Sequence, residues 1–259
     1  MNSVSKIVFN SLLVSCLSML GGCQPDTRSS SASQLAVQLS GYQQPASCQQ
    51  FITVAEQHWQ LQHLRFYLSD FSLNQQPLAL TTNQWQQPRL ALLGTDCQGN
   101  SNWQLHFAKP IPEGQLSFTL GLPFTVNHQN PLTANAPLNH SELFWSWQLG
   151  YKFLRLDLQG PEHGWAFHLG STGCQSSSVL RPPTQPCRAA NTVKVTLDYQ
   201  RGQRLQLELA MLLDKVALLA DNSCMSDGQQ ASCQMLFGNL AQPNLWRMVS
   251  PDEHTPNAH

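Results

Sequence analysis

Apolar residues in this chain recur at every second position, and that period restricts the fold more than any other feature. Leu35, Val37 and Leu39 alternate with Ala36, Gln38 and Ser40, and Trp103, Leu105 and Phe107 with Gln104, His106 and Ala108. Leu116, Phe118 and Leu120 repeat the pattern, as do Val193, Val195, Leu197 and Tyr199, and then Leu205, Leu207 and Leu209. Side chains of a strand point to opposite faces in turn, so each run reads as a half-buried strand. Turn formers punctuate the runs at 110–114, 127–137, 160–161, 181–186 and 201–202. Many short strands with turns between them predict an all-β fold, a single β-sandwich-like domain with long loops, disulfides and a few short helices. Short helices are expected at Asp214–Ala220 and Ala231–Leu240. The domain is expected to run from 35 to 249, with a flexible polar tail at 250–259.

The N-terminus is of another character. Lys6 is followed by the mostly apolar run Ile7 to Leu20, and then by Leu20-Gly21-Gly22-Cys23. A basic start, a short apolar core and small residues before a cleavage point form a secretory signal over 1–22. The run is short for a membrane span. Leu-Gly-Gly-Cys resembles the lipobox of bacterial lipoproteins, which implies a lipid on Cys23, and a flexible Ser-rich tether is expected over residues 23–34. Gln24 is not aspartate, and by resemblance to lipoprotein sorting this points to an outer membrane, with the domain facing the periplasm.

Cysteine usage agrees with export. Of eight cysteines, Cys16 leaves with the signal and Cys23 takes the lipid. Cys48, Cys97, Cys174, Cys187, Cys224 and Cys233 remain, an even set that reads as disulfides in an oxidising compartment. Short loops favour Cys174–Cys187 and Cys224–Cys233, leaving Cys48 and Cys97 as a long-range pair, although spacing alone does not fix the connectivity. Only 11% of residues are charged and the formal net charge is −1, so no basic surface for nucleic acid is expected. The chain has no GxSxG elbow, HExxH, Walker lysine loop, GxGxxG or CxxCH. Hydrolase, nucleotide-binding and haem-protein readings lose support, and no enzyme activity is expected of this chain itself.

Nine histidines stand in this lightly charged chain, and imidazole suits copper and zinc. His63 lies in the strand-like run 63–69. His128 and His140 lie in a long loop, 122–141, of a length that is often functional. In Gly164 to Gly170, alternation sets His168 on the face opposite Trp165, Phe167 and Leu169. A strand histidine is more often a hydrogen-bonded structural residue than a ligand. Trp145 and Trp147, if extended, point the same way; as aromatic residues they serve a sandwich core equally well.

Several blocks together resemble one family: Arg65 to Asp70; Phe118 to Phe124 with Asn127-His128; Pro137-Leu138-Asn139; Leu143 to Gln148 leading into Gly150-Tyr151-Lys152-Phe153; and His168-Leu169-Gly170-Ser171-Thr172-Gly173-Cys174, with Cys187, Cys224 and Cys233. The chain resembles the MbnP-like proteins, also called the metallo-mystery pair four-Cys-motif proteins, from about residue 35 to 245. That resemblance implies a β-sandwich periplasmic protein linked to copper and paired with a di-haem, MauG-like peroxidase of the MbnH type, which oxidises a tryptophan to kynurenine. It makes His128 and His168 the leading copper ligands with His63 third, and Trp145 or Trp147 the residue modified. The family cysteines would be Cys174, Cys187, Cys224 and Cys233, with Cys48 and Cys97 additional. Methanobactin itself is not implied. A second reading is a non-metal β-sandwich module that holds a glycan or a protein partner through exposed aromatics such as Trp85.

Overall fold

The structure, a computed structural model, describes residues 33–40, 48–54 and 56–251. The signal segment, Cys23, the tether up to residue 32 and the tail beyond 251 lie outside the described residues.

Strands run from Gln34 to Val249 and form two sheets. The smaller has four strands in the order Trp246–Val249, Arg204–Leu207, Gln34–Leu39, Gln104–His106. Gln34–Leu39 runs parallel to Arg204–Leu207, with Val37 opposite Leu205, and antiparallel to Gln104–His106. Its alternating Leu35, Val37 and Leu39 are buried, as a period of two requires.

The larger sheet is built on one long strand, Gln57–Leu73. Along one edge it pairs with Phe51–Val54 and Leu90–Thr95. Along the other it pairs with Gly150–Gln159 and, further on, with Gly114–Leu120. The register shifts between Ser69 and Ser72, where Asp70 has φ 53°. A bulge of this kind bends a strand and sharpens its twist, so one strand serves two branches. Gly150–Gln159 carries Gly164–Gly170 on its far side, and Gly114–Leu120 carries Val193–Tyr199.

Aromatic side chains join the two sheets. Trp246 of the smaller sheet meets Phe66 and Phe118 of the larger edge-on, with ring centroids 5.6 and 5.4 Å apart, and Trp103 meets Phe66 at 6.4 Å. These geometries suit the ring quadrupoles and add to the area that each ring buries. The fold is the all-β, sandwich-like arrangement with few short helices that the alternation predicts.

Three disulfides link Cys48 to Cys97, Cys174 to Cys187 and Cys224 to Cys233; the last two are the pairs favoured by loop length, and the first is the long-range pair that they leave. The helix Ala231–Leu240 forms as expected. The other expected helix does not: Asp214–Ala220 is a turn followed by irregular chain, and the helical turn lies earlier, at Leu209–Leu212. Leu209 continues the alternation of Leu205 and Leu207 in sequence, yet it opens that turn and is buried as a helical residue. Among the described residues no helix is long and apolar enough to cross a membrane.

Candidate metal centre

Three adjacent strands of the larger sheet set a polar cluster on one face. Across the ladders, Asp157 lies opposite His63, while Arg155 lies opposite both Arg65 and His168. Partners directly opposite share a face. The reverse face carries Leu64, Phe66, Leu154, Leu156, Phe167 and Leu169, all in the core. The expectation for His168 is thus met: Trp165, Phe167 and Leu169 point inward and His168 points away, its side chain 12% exposed.

His168 is held in a defined orientation. Its Nε2 lies 2.7 Å from Asp157 Oδ1, and Asp157 Oδ2 accepts from Arg155 Nε at 2.7 Å. Burial alone would raise the Asp157 carboxyl, but the His168 and Arg155 hydrogen bonds and charges outweigh it and hold the group below the usual range. An ionised carboxylate only accepts, so His168 Nε2 is the donor, and in the neutral imidazole the lone pair falls on Nδ1. Carboxylate-to-histidine bonds of this kind orient metal-ligating imidazoles. The strand behind His168 is pinned as well. His168 N donates to Cys224 O, and Ser226 Oγ donates to His168 O, so the segment after Asn222 seals this sheet edge.

His63 is the unusual member. It is 6% exposed, and its Nε2 is fully buried without a hydrogen-bond partner. Desolvation, assisted by the Arg155 charge, lowers its pKa to about 4, so the ring is neutral at neutral pH. A neutral imidazole with an idle nitrogen costs stability as it stands and is ready to bind a cation.

The face is roofed by the segment around Ser141–Leu143. Arg65, 1% exposed, reaches Glu142 at 2.7 Å and Asp96 at 3.2 Å, and its guanidinium lies 5.5 Å over the Trp85 ring. Trp85 also stacks on His140, with centroids 5.9 Å apart. Burial would raise Glu142, but the His140 hydrogen bond and the His140 and Arg65 charges bring it to about 2. Lys152 Nζ donates to Glu142 O at 3.0 Å. Trp85, expected to be exposed, is therefore half-buried in a cation–aromatic stack. Arg65, Asp96 and Glu142 escaped the reading of the sequence. The available signal was a charge inside the apolar run Leu64 to Leu68, which needs partners if it is buried.

The two tryptophans part company. Trp145 lies in the strand Phe144–Ser146 and turns toward His168, with ring centroids 6.4 Å apart. Trp147 falls in the turn 147–149, and its ring packs against Phe144 at 5.6 Å. The shared direction expected for an extended segment fails because the strand ends between them. His128 also has other company: the Trp147 carbonyl, Phe124 and Cys187. The structure thus brings His63, His168 and Trp145 to one face, and places His128 and Trp147 in a different set of contacts. His63, with its orphaned ring nitrogen, and His168, held in place by Asp157, share one sheet face.

A model of the MbnP family matches residues 32–235. The chain belongs to the MbnP family. Among solved structures, MbnP from Methylosinus trichosporium superimposes with a TM-score of 0.70 at 22% identity, covering 85% of this chain and 98% of that one. At that identity the likeness concerns the fold. The search of curated proteins returns no match. The polar sheet face lies wholly inside the segment matched to the MbnP family.

Proposed function

We propose that this protein is a copper-binding lipoprotein of the cell envelope, a component of a copper-handling system and not itself a catalyst. In this reading Cys23 carries the lipid and the domain faces the periplasm from the outer membrane. A di-haem, MauG-like peroxidase partner oxidises one tryptophan to kynurenine. One observation carries the copper assignment: the buried, unpartnered Nε2 of His63 on the same sheet face as the carboxylate-oriented His168. The contact between Trp145 and His168 favours Trp145 over Trp147 as the residue modified. Opening its indole ring would expose a carbonyl and an aniline nitrogen beside that histidine. Copper, when bound, supplies a soft cation that imidazoles hold well.

The test uses protein from its own host, measured by intact mass, peptide mass spectrometry and metal content. About one copper per chain is expected, and His63→Ala and His168→Ala should each abolish it while the fold survives. With the peroxidase co-expressed, Trp145→Phe should remove the mass shift and Trp147→Phe should leave it. Unmodified tryptophans together with no bound metal would sink the proposal.

A further inference from the structure

His128 stands beside a cystine in a geometry that the sheet-face site does not use. It follows the short helix Phe124–Asn127, and its Nδ1 lies 3.3 Å from the Trp147 carbonyl oxygen. A carbonyl only accepts, so Nδ1 carries the proton and Nε2 the lone pair. That Nε2 lies 3.8 Å from Cys187 Sγ and 3.3 Å from Asn127 Nδ2. Nε2 and the sulfurs of Cys174 and Cys187 all lie within 4.8 Å of one another; among the described residues, this is the one trio of histidine, cysteine or acidic side chains so grouped. While the sulfurs are bonded to each other they offer no thiolate.

We propose that reduction of Cys174–Cys187 converts this corner into a soft-metal site of two thiolates and the His128 imidazole, suited to Cu(I). Thiolates select closed-shell soft cations such as Cu(I) and Zn(II). With metal–sulfur and metal–nitrogen bonds of about 2.3 and 2.0 Å, tetrahedral ligands lie roughly 3.6 Å apart. The nitrogen-to-Cys187 separation is therefore already close to that of a ligand pair, and the two sulfurs need only move apart.

The surroundings hold the cysteines in place once their bond is broken. Thr172 and Ala189 exchange backbone hydrogen bonds, Arg188 N donates to Gly173 O, and Gln148 Nε2 donates to Cys174 O. These bonds fix the base of the loop on both sides. Cys174 is itself 6% exposed, but the intervening residues 175–182 are largely exposed, so the loop can open to a reductant and the sulfurs have freedom to separate. Cys224 and Cys233 are buried more deeply still, at 0% exposure.

The electron balance is simple. A dithiol reductant passes two electrons and two protons to the cystine and is itself oxidised to a disulfide, leaving two protein thiols. Cu(I) binding then releases the thiol protons, and the hydrogen bond from Asn127 to His128 Nε2 is given up. This site is independent of the copper site at His63 and His168, which binds in either redox state.

The experiment titrates the full mature chain with Cu(I) against a chromophoric chelator, before and after anaerobic treatment with a dithiol. Alkylation and peptide mapping identify the pair that has been reduced. Reduced protein should bind one more Cu(I) than oxidised protein, and His128→Ala should weaken that extra ion at least tenfold. The gain should vanish in the double variant Cys174→Ser, Cys187→Ser and persist in Cys224→Ser, Cys233→Ser. Because reduction can loosen the domain, Cys174→Ala is titrated without reductant. It leaves the Cys187 thiol beside His128, and should gain a Cu(I) that it loses when His128→Ala is added. No gain in either arm, or a gain indifferent to His128, overturns the proposal. Loss of copper from oxidised His63→Ala protein reports on the other site alone.

Discussion

Single groups on the polar sheet face have separable jobs. Asp157 touches no metal in this scheme; it fixes His168 in one tautomer and one orientation. Asp157→Asn keeps the shape but can present its amide to His168 Nε2, and it should weaken copper binding by about 10- to 100-fold. Competition titration checks this, and unchanged affinity would make the contact merely structural. His63 makes a pH prediction. Its folded pKa, about 4, lies below its ordinary 6.5, so between those values the unfolded chain binds more protons. Metal-free protein should therefore lose up to about 3 kcal/mol as pH falls from 6.5 to 4. Urea unfolding across that window should show the slope, and His63→Gln should flatten it. Glu142, lowered from 4.5 to about 2, acts in a lower window: its contribution is present above 4.5 and fades as pH falls toward 2.

At the scale of elements, alternation made the inward faces legible, because burying one side of a strand is a local rule. Trp165, Phe167 and Leu169 are buried and His168 is turned outward as that rule demands. What covers the outer face was not legible. The Ser141–Leu143 segment reaches Arg65 across more than seventy residues of chain, and no periodicity encodes that distance. The helical turn at Leu209 was missed for a related reason. A leucine at an alternating position serves a strand or a helical turn equally, and tertiary context decides. Close packing also defines the tryptophan site. A Cβ on Gly170 would lie 2.6 Å from the Trp145 ring and 2.9 Å from the Tyr151 carbonyl oxygen. Gly170→Ala should push the indole away from His168 at a cost of about 1–3 kcal/mol. Near-ultraviolet circular dichroism and the yield of Trp145 modification should both change; an unchanged spectrum would mean that the ring has room to spare.

Across the whole molecule, the disulfides do different work. Cys48–Cys97 closes a stretch 49 residues long and ties the chain before the long strand to the loop after Leu90–Thr95. Chain entropy assigns such a closure roughly 4 kcal/mol. The double variant Cys48→Ser, Cys97→Ser should unfold at a correspondingly lower denaturant concentration, with copper content at the sheet face retained. The family cysteines lie elsewhere: Cys224–Cys233 seals the strand edge behind His168, and Cys174–Cys187 faces His128.

The parallel pairing of Val37 with Leu205 has a consequence for the order in which the molecule can assemble. Gln34–Leu39 is the first described strand, yet both of its flanks are filled by chain from much later, at residues 104–106 and 204–207. A chain made from its N-terminus onward must hold Leu35, Val37 and Leu39 without a partner sheet until nearly the last strand has emerged. Long-range pairing of this kind slows folding and leaves sticky edges open. For this protein the waiting segment is its first described strand, and a holding chaperone would have most to shield there.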